Sequence, residues 1–427
     1  MEKKTLSEKI GRREWILIWV VGLAGQLCWN VENQWFNTFI YAKIGPYPEI
    51  ISWMTAVSSI VTTFSTFFWG TWSDRKGKRR PFIFIGYVLW GMFTILFGVS
   101  EFLPKNQIVA AAVMVVLMDA LMSFFGSMGN DAAFSSWTTD ISNEKNRGQI
   151  GAAIAALPII ATILGTVVSG ILISILDYFV FFIIMGVSVM IIGIVGFLFM
   201  KEGENLQPNR DEKGFWHQVF SVFNFKTVKE NKELFCVFLI SCVYFICFNF
   251  YYAHIGNYFI YVLGYDEGMS GILQGVGLGL AILATIPATK AINAGKHIKM
   301  IFTSILFSVI GLFVIGFAGK TILFLIPGII LAGVGYVLIM QTTTAWMKNL
   351  YPEGNFGQFE GVRIIFTVMI PMVLGPSSAN IVIQNFGTQV EINGNIGMAP
   401  SAMLFYVAAM MSVMTLVPTY FAAKQKK

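Results

Sequence analysis

The chain has 427 residues, 56% of them hydrophobic and only 12% charged, whereas a soluble domain carries about 25% charged residues. So much apolar surface cannot be hidden inside one water-soluble core. The net charge of +6 does not mark a nucleic-acid binder, because the basic residues sit in short segments between long apolar blocks.

Those blocks run about 20 residues or more, enough to cross roughly 30 Å of hydrocarbon as a helix. In lipid every backbone polar group must be satisfied within its own segment, which selects helices. Twelve are expected, at 15–41, 51–72, 81–101, 108–138, 149–175, 178–200, 234–263, 270–290, 299–318, 321–346, 359–383 and 401–422. The reading is an all-α membrane protein of twelve transmembrane helices in two six-helix bundles, 1–200 and 234–427, joined by a cytoplasmic linker, 201–233. With the N-terminus inside, 25 of the 29 Lys and Arg fall on the cytoplasmic face and three, Lys43, Lys105 and Lys320, on the other, with Arg363 near the start of the eleventh span. The positive-inside rule then places both termini in the cytoplasm of a cell (inner) membrane. The basic N-terminus leads into a span too long for a signal peptide and without a small-residue cleavage site, so it reads as retained.

Span one is rich in hydrogen-bonding and aromatic side chains: Gln26, Trp29, Asn30, Glu32, Asn33 and Asn37. Gln26, Asn30, Asn33 and Asn37 recur at helical spacing and read as a stripe lining a cavity. Trp faces stack on the apolar C–H faces of sugar rings, while amides and carboxylates bond hydroxyls. Glu32, Asp119 and Asp131 lie well within spans, where an ionised carboxylate costs about 2.5–3.5 kcal/mol on insertion scales. Each should face a cavity or a partner, and each is a candidate coupling group. Ser127 and Ser135 flank Asp131 one turn away. The bland alternatives are a structural carboxylate at Asp131 or Asp119, and a shallow, solvated Glu32.

Between spans two and three stand Gly70, Asp74, Arg75, Gly77, Lys78 and Arg79, in the order G-x-x-x-D-R-x-G-K-R. Carboxylate and basic groups at abutting helix ends pair across such a face and are suited to gating. The four cysteines, Cys28, Cys236, Cys242 and Cys247, fall inside spans and form no CxxC pair, so neither disulfides nor zinc is indicated. In 201–233, Phe215, Trp216, Val219, Phe220 and Phe223 recur at helical spacing and suggest a short helix on the membrane surface. Asn249, Tyr251, Tyr252, His254 and Asn257 form a polar cluster on span seven, and Gln341 begins a Gln-Thr-Thr-Thr run on span ten. A membrane histidine is more often a hydrogen-bonded structural group than a proton relay. Arg363 and Glu360 are placed to pair at i, i+3 near the cytoplasmic boundary, although snorkelling of Arg363 to the interface is the slightly favoured reading.

The two halves repeat each other. Asn37–Tyr41 is echoed 220 positions on by Asn257–Tyr261, and Gly77-Lys78, at a similar offset of 218, by Gly295-Lys296. Trp137, Glu144, Asn146, Gly148 and Gln149 return at one offset, 209, as Trp346, Glu353, Asn355, Gly357 and Gln358. A shift of six spans preserves orientation, so the repeat is parallel, about an axis along the membrane normal.

The loop between spans two and three resembles the signature loop of the major facilitator superfamily. Its continuation, Gly77-Lys-Arg-Arg-Pro-Phe-Ile, is similar to that of the glycoside–pentoside–hexuronide cation symporters and sucrose-type carriers. Asp131-Ala-Ala-Phe134 resembles the D-x-x-F motif of the first of these, whose aspartate takes part in sugar binding. The resemblance implies alternating access by two bundles, with a central site on spans one, four, seven and ten. It departs at Gln26, Thr62 and Thr66, which stand where that family has sugar- and cation-binding acids. That favours a proton over sodium as coupling ion.

The expected function is therefore secondary active symport of a sugar or glycoside. Solute contacts are expected from Gln26, Trp29, Asn30, Asn33, Asp131, Asn249, Tyr252 and Gln341. Coupling falls to Glu32, Asp119 and Asp131, and gating to Gly70, Asp74, Arg75, Gly77 and Arg79. The expected partners are the solute, the coupling ion and the bilayer. The protein is expected to act as a monomer, without cofactor, metal or nucleic acid. An efflux antiporter for amphipathic compounds is the alternative, supported by 21 Met and 39 Phe. No nucleotide loop, metal-ligand spacing or nucleophile elbow suggests an enzyme.

Overall fold

The computed structural model describes residues 10–143, 146–203, 206–208, 214–220, 231–351 and 361–425. Among these, twelve helices are long and apolar enough to cross a membrane. Spans one to six are Arg12–Ile44, Pro48–Lys76, Arg80–Phe102, Ile108–Asp140, Arg147–Leu176 and Tyr178–Phe199. Spans seven to twelve are Lys232–Val262, Glu267–Thr285, His297–Ala318, Ile322–Leu350, Gly361–Phe386 and Met403–Gln425. Each overlaps its expected segment. The amphipathic linker segment forms a short helix at Phe215–Phe220. Two strands, β1 (Thr388–Ile392) and β2 (Asn395–Ala399), pair antiparallel between spans eleven and twelve. That stretch lies between the expected spans.

The chain forms two compact units. The first comprises Met1–Glu32 and Ile60–Val219, the second Asn33–Ser59 and Phe220–Lys427. Spans one and two thus each contribute one end to either unit. In the first, span three packs on spans four and six, with Phe93 stacked on Phe125 at 5.7 Å and Phe97 edge-on to Phe182 at 5.7 Å. In the second, Tyr258 of span seven meets Phe405 of span twelve at 4.9 Å. Lipid tails are as apolar as these side chains, so close packing and interhelical hydrogen bonds hold such helices together. Ser304 donates to the Gly335 carbonyl at 2.6 Å, and the Tyr244 and Ser308 hydroxyls lie 2.6 Å apart. Each bond of this kind contributes about 0.6 kcal/mol in a bilayer.

The repeat is visible in local geometry. Span one ends in a π turn, Ile40–Ile44, and span seven in another, Tyr258–Val262. Span two closes on Gly77, φ +60°, whose N–H bonds the Asp74 carbonyl while Lys78 N–H bonds that of Ser73. The same two bonds recur at Gly295, φ +73°: Gly295 to Ile292 and Lys296 to Ala291. Both are Schellman caps, which place a left-handed residue just past the helix and satisfy its orphan carbonyls. Glu144, Phe223, Glu353, Asn355, Gly357, Gln358 and Glu360 lie outside the described residues.

Candidate functional site

In the first unit, span four leaves the α-helical path at Ser127–Phe134, an eight-residue π segment. A π segment widens the turn and re-aims its side chains, and such segments are frequent at functional sites. Asp131 lies in its middle, half-buried, between Ser127, fully buried, and Ser135, exposed. Its Oδ1 accepts from Asn130 Nδ2 at 2.8 Å, and the carboxylate also accepts from the indole of Trp29. Asn130 is held in turn by the Tyr87 hydroxyl, 3.3 Å from Asn130 Oδ1 and 2.8 Å from the carbonyl of Val21. Spans one, three and four therefore converge on this carboxylate.

One helical turn further along span one, Glu32 is buried, and its Oε1 accepts from Ser123 Oγ at 2.8 Å. Asp119, also buried, lies one turn before Ser123. Asp119 and Asp131 thus stand on span four and Glu32 on span one, with Glu32 and Asp131 anchored by the donors shown above. Gln26 and Trp29 are half-buried, and Trp29 rests against Trp90 with ring centroids 4.8 Å apart. Asn30 departs from the expected stripe: it is buried, its Nδ2 3.4 Å from Thr166 Oγ1 of span five. Asn37 is also buried, and it bonds the Asn33 carbonyl at 2.9 Å.

The second unit carries a separate wall. Phe245, Phe248, Asn249 and Tyr252 of span seven are half-buried and recur at helical spacing, as do Tyr336, Met340 and Thr344 of span ten. Phe248 stacks on Tyr252 at 4.7 Å and on Tyr336 at 4.2 Å, with interplanar angles of 21° and 18°. Asn249 donates to the Phe245 carbonyl at 2.9 Å. Gln341 is half-buried, and its Oε1 has no hydrogen-bond partner among the described residues. His254 is fully buried, and neither ring nitrogen has one either. Asn33, half-buried, also belongs to this unit. Phe248 and Tyr336 were not singled out from sequence.

At the other end of the first unit, Arg79 is the hub of the loop after span two. Its Nη1 lies 2.6 Å from Asp74 Oδ1 and its Nε 2.8 Å from Asp140 Oδ2, at the end of span four. Its backbone N–H reaches Glu202, just past span six, at 2.9 Å. Burial opposes the Arg79 charge, but the Asp140 hydrogen bond and the charges of Asp74 and Asp140 outweigh it, raising its pKa. These contacts all lie within one unit, linking spans two, four and six. Arg75 instead covers the ring of Phe215 at 5.9 Å. Gly77 is required by its positive φ, and a Cβ there would lie 2.8 Å from Pro208 N. At Gly70 a Cβ would meet nothing closer than Ala132 at 4.0 Å, so packing does not demand a glycine.

Twelve spans, a two-fold repeat and this charged loop come together in one known architecture, and the family model described as Major Facilitator Superfamily matches residues 15–376. The chain belongs to the major facilitator superfamily. Among solved structures of the superfamily fold, it is similar to the nucleoside transporter NupG, with 14% identity, TM-score 0.68, and 96% and 99% of the two chains covered. It is also similar to the POT family transporter PepTSo (11%, TM-score 0.71, 98% and 99% covered). The xylose transporter XylE from E. coli gives 10% identity, TM-score 0.66, and 96% and 99% coverage. No curated protein matches the sequence. This superfamily member is all-helical in its spans, as expected, with the hairpin as an addition.

Proposed function

We propose that this protein is a secondary active carrier that works by alternating access and takes up a sugar or glycoside with a proton. The observation that carries the reading is Asp131, a half-buried carboxylate within a span, set in a π segment and held by Asn130 and Trp29. A carboxylate so placed is able to bind a solute hydroxyl and to take up or release a proton as its surroundings change. Glu32, bonded to Ser123, and Asp119 serve the same coupling, while Gln26 and Trp29 border the solute. The second unit contributes neutral contacts from Asn249, Tyr252 and Gln341, and from Phe248 and Tyr336. Sidedness follows the basic loops, with both termini cytoplasmic.

The three-ring stack of Tyr252, Phe248 and Tyr336 favours a second solute class, one with a flat ring system beside hydroxyls. Nucleosides meet that description, and NupG is a nucleoside transporter of the same fold. The test is the pH of a lightly buffered suspension of de-energised cells that express the protein, on adding mono- and disaccharides and then nucleosides. Alkalinisation with one class, lost in Asp131→Asn, is the expected result and names the solute. No pH change with any compound, while the protein is present and folded in the membrane, removes proton symport of these solutes.

A further inference from the structure

Strands β1 and β2 run in the register Thr388↔Ala399 through Ile392↔Asn395. Asn393 and Gly394 close the hairpin at φ +54° and +80°, the two positive angles of a type I′ turn. A lone two-stranded hairpin is marginal in water, so its order depends on what it touches. It touches the end of span one. Asn393 Nδ2 donates to the Ala42 carbonyl at 2.7 Å, and Asn395 Nδ2 to that of Ile44 at 3.0 Å. Met398 N–H donates to the Pro46 carbonyl at 3.0 Å, and the buried Tyr41 hydroxyl donates to the Met398 carbonyl at 2.8 Å. The last carbonyls of a helix have no partner within it, and the hairpin supplies donors to two in this π turn. Close beside it, Gln384 bonds Glu49 at 3.0 Å and Ser52 bonds the Pro376 carbonyl at 2.9 Å, tying span two to span eleven. A Cβ at Gly397 would run into the Pro46 carbonyl, so only glycine admits this approach.

We propose that the hairpin is a latch: it caps span one and holds the turn between spans one and two against spans eleven and twelve, and it must release that turn whenever the solute path opens at this end. The proposal rests on the carrier reading. Its chemistry suits the task. Side-chain amides on main-chain carbonyls are directional, numerous and individually weak, so water replaces them at little cost once they part.

The test needs no solute. Asn33→Cys provides a half-buried reporter, labelled with a membrane-impermeant maleimide in right-side-out and in inverted vesicles; the chain without that cysteine is the blank. Removing two latch bonds with Asn393→Ala and Asn395→Ala should raise labelling from the hairpin side on the order of tenfold. A second variant covers the case in which that one does not fold. Ala42→Cys with Asn393→Cys, oxidised to a disulfide, should abolish labelling from the hairpin side, and reductant should restore it. Unchanged labelling in the folded weakened variant, or in the cross-linked one, overturns the latch. Labelling that responds, while the protein with Asn33 intact moves no solute, keeps the latch and removes the carrier reading instead.

Discussion

The side-chain amide of Asn257 donates to the main-chain carbonyl of Asn37 at 3.2 Å, and the two asparagines are counterparts 220 positions apart in the repeat. Tyr41 and Tyr261, also 220 apart, have ring centroids 5.6 Å from each other. The ends of spans one and seven therefore meet, each winding there into a π turn.

Both asparagines are buried, so Asn257→Ala removes a bond that water does not replace. The expected cost is about 1–3 kcal/mol, read as a lower unfolding midpoint in detergent. Asn249→Ala, which removes only a bond to its own helix, should cost less than half as much.

Two glycines of one loop should behave in opposite ways. Gly77→Ala forces a side chain into a left-handed conformation beside Pro208 and should destabilise by about 1–2 kcal/mol. Gly70→Ala fits its space and should leave the midpoint within about 0.5 kcal/mol. Equal effects would mean that Gly77 is not the helix stop its hydrogen bonds describe.

Arg79 binds two carboxylates with different nitrogens of one planar group, a geometry lysine does not offer. Its pKa is raised in the folded protein. The stabilisation is therefore complete below the ordinary guanidinium pKa and is lost as pH rises from there through the raised one. Stability owed to this cluster should stay level from about pH 6 to about pH 10. In Arg79→Lys it should start lower and fall as pH rises toward 10, as the ammonium loses its proton. Unfolding midpoints across that range decide the matter.

The aromatic wall yields a solute-dependent prediction. For whichever compound drives alkalinisation, Tyr336→Leu should raise the half-saturating concentration roughly tenfold, since ring–ring packing adds about 0.5–1.5 kcal/mol beyond burial. Tyr336→Phe should keep most of the affinity. If both substitutions act alike, the hydroxyl matters rather than the stack.

Hydropathy located the twelve spans because a bilayer imposes length and apolarity on each independently. Gly77 stood out in the sequence as part of the charged loop, whereas its role as a helix stop shows only in its φ of +60° and its two capping bonds. Asn30 was misjudged: a helical wheel groups it with Gln26 and Asn33, but neighbouring span five claims it through Thr166. Periodicity reports a face and not which neighbour covers it. Phe248 and Tyr336 were hidden among 39 Phe and 14 Tyr, since ring stacking depends on two helices meeting. The hairpin had a signal that hydropathy passes over: Asn393-Gly394 between two short runs, the dipeptide that a type I′ turn prefers.

The matching π turns and matching glycine stops show what the two copies share: both wind and end these helices alike. The acids of spans one and four stand in one copy, and the ring stack and hairpin in the other. The copies thus agree in backbone where helices end and differ in the chemistry their side chains offer.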